Sequence, residues 1–171
     1  MQPAVSIIIP TFRRPDRAVD AARSALAQMC ETPFEVVLID TDPAGSALEP
    51  LRALNDPRVK VIHEPRAGVA NARNAGLRAA RGDIIAFLDD DEIAPGHWLA
   101  ELLRVQTAHG ADIVFGMGDG ASFGMIEALA AHNADNPDSK ALFIDVIGDK
   151  SATQPRDLLL TSVIFDYTGI Y

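Results

Sequence analysis

Short apolar runs recur along the chain, and most of them end on a polar or acidic residue. Val5-Ser6-Ile7-Ile8-Ile9 comes first and is closed by Pro10, which has no N–H to give a sheet ladder. Phe34 to Ile39 ends on Asp40, and Val59 to Ile62 follows the Asn55-Asp56-Pro57 break. Ile84 to Leu88 ends on Asp89-Asp90-Asp91-Glu92, and Asp112 to Gly116 forms a fifth run. Runs this short and this continuously apolar suit strands buried on both faces, as in a parallel sheet. Between them the apolar positions change to helical spacing. Ala18, Ala21, Ala22, Ala25, Leu26 and Met29 follow Pro15 and Asp16, and Ala47 to Leu54 follows a capping Ser46. Val69 to Ala80 follows Gly68, and His97 to His109 carries Trp98, Leu99, Leu102, Leu103 and Val105. The alternation predicts an α/β domain, a mostly parallel sheet flanked by helices.

Past Gly116 the alternation fails. A helix from Ser122 to His132, a turn-rich linker from Asn133 to Ser139, and strands at Leu142-Phe143-Ile144, Leu158-Leu159-Leu160 and Ser162 to Phe165 are the elements expected there.

At 171 residues the chain suits one domain with a sizeable core. Its net charge of −9 argues against nucleic acid and against an anionic membrane surface as partners, since both demand a basic footprint. The single cysteine, Cys30, excludes an internal disulfide and a cysteine zinc site, and it reads as a small buried thiol. No apolar run approaches the ~18 residues of a membrane span. The N-terminus enters a strand without a basic leader, so a cytoplasmic protein is expected.

The acids after Leu88 locate the chemistry. Carboxylates side by side cannot enter a core, because each isolated buried charge costs several kcal/mol or more, so they belong at the carboxyl edge of the sheet. That edge is where open α/β sheets bind ligands. Thr11-Phe12, Asp40 and the helix N-terminus after Gly68 should emerge there too, with Arg73 one turn into that helix. In an extended segment Asp89 and Asp91 would face one side and Asp90 the other. Mg²⁺ or Mn²⁺ accepts one or two such carboxylates and completes its shell with phosphate oxygens and water. On position alone, a solvated acidic turn explains the triplet equally well. Asp40 is suited to accept an imide N–H from a base or to close the turn with Thr41-Asp42-Pro43; Phe12 is suited to stack on a base or to pack locally. His63 and His97 read as structural or solvent-exposed.

Together these segments resemble the inverting GT-A glycosyltransferases of family 2. The resemblance is carried by Val5 to Phe12, by Val36-Val37-Leu38-Ile39-Asp40, by Gly68-Val69-Ala70-Asn71-Ala72-Arg73-Asn74-Ala75-Gly76, and by Gly82 to Glu92 with Trp98-Leu99 beyond. It covers about residues 4–117. It implies a nucleotide-sugar-binding half at 1–117 and an incomplete acceptor-side segment at 118–171. It implies that Pro10, Thr11, Phe12, Asp40, Arg73, Asp89 and Asp90 bind the donor, with Asp89 near the ribose. Asp91, with Asp89, would hold Mn²⁺ or Mg²⁺ as the family's D-x-D motif. The implied reaction moves a sugar from a nucleoside diphosphate, UDP-type, to an acceptor hydroxyl of a glycan, lipid or small molecule, with inversion. Arg13 stands where the family often has asparagine, and Asp40-Thr41-Asp42-Pro43 replaces the commoner Asp-Asp-Gly-Ser. No general base is identified; Asp166 is the nearby acid after the Thr161 to Phe165 strand, and it lacks the family's motif context. The sequence given stops at Tyr171, before that motif would arrive, which fits either a compact variant with another base or a C-terminal truncation. The alternative is therefore a truncated module that holds the donor with weak or no transfer. A homodimer, covering an open C-terminal edge, fits that expectation.

Overall fold

The computed structural model describes residues 2–109, 113–117, 141–145 and 160–166. The continuous apolar runs form strands: β1 (Val5–Thr11), β2 (Phe34–Asp40), β3 (Val59–His63), β4 (Ile84–Leu88), β5 (Ile113–Met117), β6 (Ala141–Asp145) and β7 (Leu160–Asp166). The helical stretches form α1 (Pro15–Leu26), α2 (Leu48–Arg52), α3 (Val69–Ala79) and α4 (Trp98–His109). The sheet order is β3-β2-β1-β4-β7-β5-β6. β1 pairs parallel with β2 and β4, β2 with β3, and β5 with β6, while β7 runs antiparallel between β4 and β5. The expectation of a mostly parallel sheet with helices holds. The expected strands at 142–144 and 162–165 fall within β6 and β7. The helix expected at 122–132, the linker at 133–139 and most of the strand expected at 158–160 lie outside the described residues.

Alternate residues of each inner strand face opposite layers. Val5, Ile7, Ile9, Val36, Leu38, Ala86 and Leu88 pack with the alanine face of α1, with Leu51 of α2, and with Trp98, Leu99 and Leu102 of α4. Ile8, Val37, Ile39 and Ile85 pack on the other side with Ala72 and Ala75 of α3. Burial on both faces is why these strands read as unbroken apolar runs. The chain moves outward from β1 to β3 under one layer, then returns through α3 on the opposite face to β4. The connection reverses between β1 and β4, and that reversal opens a crevice at their carboxyl ends.

Three local expectations change. α1 ends at Leu26, so Met29 is not on its buried face; it is 59% exposed and its amide donates to the Gly96 carbonyl. The buried residue there is Gln28. Its amide donates to the Ser24 and Pro95 carbonyls and its oxygen accepts the Leu99 N–H, tying α1 to the start of α4. α2 is a single short helix without a Ser46 cap, and Ala47 precedes it with its N–H given to Asp40. Cys30 is half-buried at the edge of the core.

At the amino ends of the strands a buried knot replaces apolar packing. Glu35, almost fully buried, accepts from the Ser6 hydroxyl, the Arg81 amide and the Arg81 guanidinium. Gly82 donates its N–H to the same Ser6 oxygen at 2.9 Å. β1, β2 and the turn into β4 are thereby joined at one point. That turn passes so close that a Cβ on Gly82 would sit 2.6 Å from the Val5 carbonyl carbon.

Candidate functional site

A cavity of about 570 Å³ lies over the β1–β4 crevice. Pro10, Thr11 and Phe12 form one wall, Ala67, Gly68 and Val69 another, and Asp89, Asp90 and Asp91 a third, with Arg14, Thr41 and Ala72 completing it. Phe12 keeps 43% of its surface exposed, so a ring face is available. Beside it Arg13 adopts φ 57°, a left-handed conformation that L side chains other than Asn and Asp seldom take. Its guanidinium covers Phe12 at 4.9 Å from the ring centre and meets Asp42 at 3.3 Å. Asparagine adopts this backbone conformation more readily than arginine does.

Gly68 starts α3 with φ 116° and ψ 139°, a conformation open in practice to glycine alone. No side chain caps the helix and its first turn carries no acid, so its N-terminal dipole faces the cavity unneutralised. One turn on, Arg73 stacks over Phe87 at 5.2 Å and reaches Asp89 at 3.4 Å. Its Nε is buried without a hydrogen-bond partner. Desolvation raises the Asp89 carboxyl above its ordinary value, and Arg73 opposes that rise.

The acids do not continue β4 in extended form. Glu92 donates its N–H to the Asp89 carbonyl at 3.2 Å, closing a turn, and all three aspartates reach the cavity. The strict alternation expected for Asp90 is overturned by that turn. Asp90 is the buried member. It accepts from the Thr11 hydroxyl at 2.7 Å and from Arg14 at 3.3 Å. Arg14 also donates to Asp91 at 3.0 Å, and Arg17 lies 3.7 Å from the same carboxylate. The roles of Arg14 and Arg17 carry no local sequence signal, since their partners stand more than seventy positions away.

Asp40 is fully buried and does not line the cavity. One oxygen accepts the Asp42 N–H at 2.9 Å and the other the Ala47 N–H at 2.8 Å. It therefore holds the loop that brings Thr41 to the cavity wall. His63 supports the same loop. Its Nε2 lies 2.8 Å from the Asp42 carbonyl, which can only accept, so that nitrogen carries the proton. His63 is thus both exposed and bonded to the loop. Asp166 ends at the other side of the sheet: it pairs with Ile84, while Ser162 pairs with Leu88. Four residues of strand put its backbone roughly 13 Å from the carboxyl edge, which removes it as an acceptor-side base.

The acidic turn offers hard oxygen ligands. The Asp89 and Asp91 side chains are 36% and 43% exposed at the cavity. Among the described residues, no group of three His, Cys, Asp or Glu side chains is placed to hold a metal by itself. Such a donor set fits Mg²⁺ or Mn²⁺ bound through one or two carboxylates with ligand phosphates and water. No helix among the described residues is long and apolar enough to cross a membrane.

The sequence model of the family described as Glycosyl transferase family 2 matches residues 6–155. The succinoglycan biosynthesis protein ExoO of Rhizobium meliloti is 38% identical over 112 residues, covering 65% of this chain and 32% of that protein. The putative colanic acid biosynthesis glycosyl transferase WcaA of Escherichia coli is 33% identical over 117 residues, covering 66% and 39%. Among solved structures, the mannosyltransferase PcManGT of Pyrobaculum calidifontis, in complex with GDP-Man and Mn²⁺, superposes with a TM-score of 0.57 at 25% identity. It covers 67% of this chain and 35% of that one. S. aureus TarS in complex with UDP superposes with a TM-score of 0.54 at 25% identity, covering 68% and 35%. The chain spans about a third of the length of these relatives. The sheet and its helices have the GT-A fold of these neighbours.

Proposed function

The chain belongs to glycosyltransferase family 2, and on that premise we propose that it binds a nucleoside-diphosphate sugar, UDP-type, with Mn²⁺ or Mg²⁺, and transfers the sugar with inversion to an acceptor hydroxyl. The observation that carries this reading is one cavity that joins an exposed aromatic ring, an uncapped helix N-terminus and the Asp89-Asp90-Asp91 turn. In this reading Phe12 stacks on the base, with Pro10 and Thr11 lining the wall beneath it. The N–H groups of α3 receive the diphosphate, with the half-exposed Arg73 guanidinium reaching it from the next turn. Asp40 sets the Thr41 loop at the base end; each of its oxygens retains a lone pair for a base N–H once that loop shifts. Asp89 faces the ribose, and Asp89 and Asp91 supply the carboxylates for the cation. Asp90 works from below, fixing the turn to β1 through Thr11. A bound divalent cation would neutralise charge that grows on the departing diphosphate.

Calorimetry tests the shared core of this reading. UDP or GDP should bind the protein in Mn²⁺ or Mg²⁺ and not in chelator, and Asp91→Ala should abolish the metal dependence. Binding equally strong in chelator, or no binding of any nucleoside diphosphate, sinks it. Donor hydrolysis and transfer assays with the same protein then measure the chemical step.

A further inference from the structure

The acidic turn already has a cation on it. We propose that Arg14 is a built-in counter-ion for this turn: it holds Asp90 and Asp91 in the metal-free protein and gives up that place when a divalent cation and a nucleoside diphosphate arrive together. The proposal rests on the donor-binding reading above and deepens it.

Arg14 sits in the loop between β1 and α1, and its Nη1 lies 3.3 Å from Asp90 and 3.0 Å from Asp91. It is placed on the carboxylate best suited to a metal. Its side chain is 51% exposed, so it can swing away without leaving a void in the core. Asp90 does not depend on it for position, since the Thr11 hydroxyl keeps the other oxygen at 2.7 Å. Arg17 at 3.7 Å from Asp91 and Arg73 at 3.4 Å from Asp89 complete a set of three guanidiniums facing three carboxylates. A free Mn²⁺ approaching this turn meets arginines already seated on it, and it must displace Arg14 to coordinate Asp91 Oδ2.

A diphosphate changes that balance. It brings acceptor oxygens for the released guanidinium, which binds phosphate in a forked geometry, and it brings further ligands for the cation. The lack of a three-residue metal cage among the described residues points the same way. Cation and nucleotide therefore each tighten the other's binding by one shared factor, as linkage requires.

The test is Mn²⁺ binding followed by electron paramagnetic resonance, first without nucleotide and then with saturating UDP, on the parent and on Arg14→Gln. The parent should bind Mn²⁺ weakly alone and about tenfold or more tightly with UDP. Arg14→Gln should bind Mn²⁺ alone about 5- to 10-fold more tightly than the parent, with the gain on adding UDP reduced by a similar factor. Arg14→Met, which keeps the aliphatic stem, should do the same, and Arg14→Lys should stay close to the parent. A merely structural arginine would weaken Mn²⁺ binding when removed. Mn²⁺ binding to both Arg14→Gln and Arg14→Met that is no tighter than the parent's, at an unchanged melting temperature, overturns the proposal while leaving the donor site intact. A parent that binds neither Mn²⁺ nor UDP overturns the proposed function and this inference with it.

Discussion

At Gly76 α3 packs tightly against the sheet, and Gly76→Ala should destabilise the protein despite improving the helix. A Cβ at Gly76 would lie 2.5 Å from Ile8 Cγ2, 3.0 Å from Ile39 Cδ1 and 3.2 Å from Ile8 Cδ1. The Cδ1 atoms are chain ends and can turn aside. Ile8 Cγ2 is attached directly to the β-carbon of a fully buried strand residue, whose branched side chain has little rotamer freedom. Relief must come from moving α3. Alanine for glycine in a helix interior gains about 0.5–1 kcal/mol, whereas forcing an extra methyl into a packed core costs about 1–3 kcal/mol. The net expectation is a loss of about 1 kcal/mol, a fall of about 2–4 °C in Tm for a chain of this size. Urea denaturation with an unchanged m-value would measure it. In a double-mutant cycle, Ile8→Ala removes Cγ2 and should relieve the clash, giving a favourable coupling of about 0.5 kcal/mol or more. An additive cycle, or a Gly76→Ala protein more stable than its parent, would refute the assignment of Ile8 as the rigid obstacle. The displacement should also weaken UDP binding, because α3 carries both Gly68 and Arg73.

Gly82→Ala should cost more than Gly76→Ala in the same denaturation experiment. Its new Cβ would meet the Val5 and Ser6 backbone at 2.6–2.8 Å, and backbone in the middle of a sheet has nowhere to go. Glu64 gives the acid-range prediction. Hydrogen bonds from Arg66, followed by the charges of Arg66 and Arg78, lower its carboxyl from 4.5 to about 2. The folded protein thus binds fewer protons there than the unfolded chain. The stabilisation is fully present above 4.5 and is lost as pH falls through about 2. Parent and Glu64→Gln melting temperatures should differ by a constant amount above about pH 5 and converge as pH is lowered toward about 2. A gap that widens on acidification would contradict this.

The inner strands were legible because burial on both faces leaves an unbroken apolar run, and because each run stops on a proline or an acid. Pro10, Asp40 and Asp89 mark those stops. The carboxyl edge as the site's location followed from that alone. Legibility failed where the deciding contact is distant in sequence. Nothing near Met29 announces that Gln28 will anchor the start of α4, and helical spacing continued past the true end at Leu26. The acid triplet was read as extended because strand periodicity was the only local guide. A turn closed by Glu92, with Thr11 and Arg14 as partners for Asp90, decides it instead. Asp40 illustrates an open choice at the sequence level between turn closure and base recognition; its two amide partners make the loop-holding role visible.

The knot of Ser6, Glu35 and Arg81 separates what must stay fixed from what can vary. It ties β1, β2 and the entry to β4 at the amino ends, a full strand length from the cavity. Strand alignment is thus secured without any residue that touches a ligand. Loops at the opposite edge can be lengthened, shortened or recharged while the alignment beneath them persists. In a laboratory recombination of such loops, the seams belong after Thr11, Asp40 and Leu88, and the knot belongs with the retained scaffold.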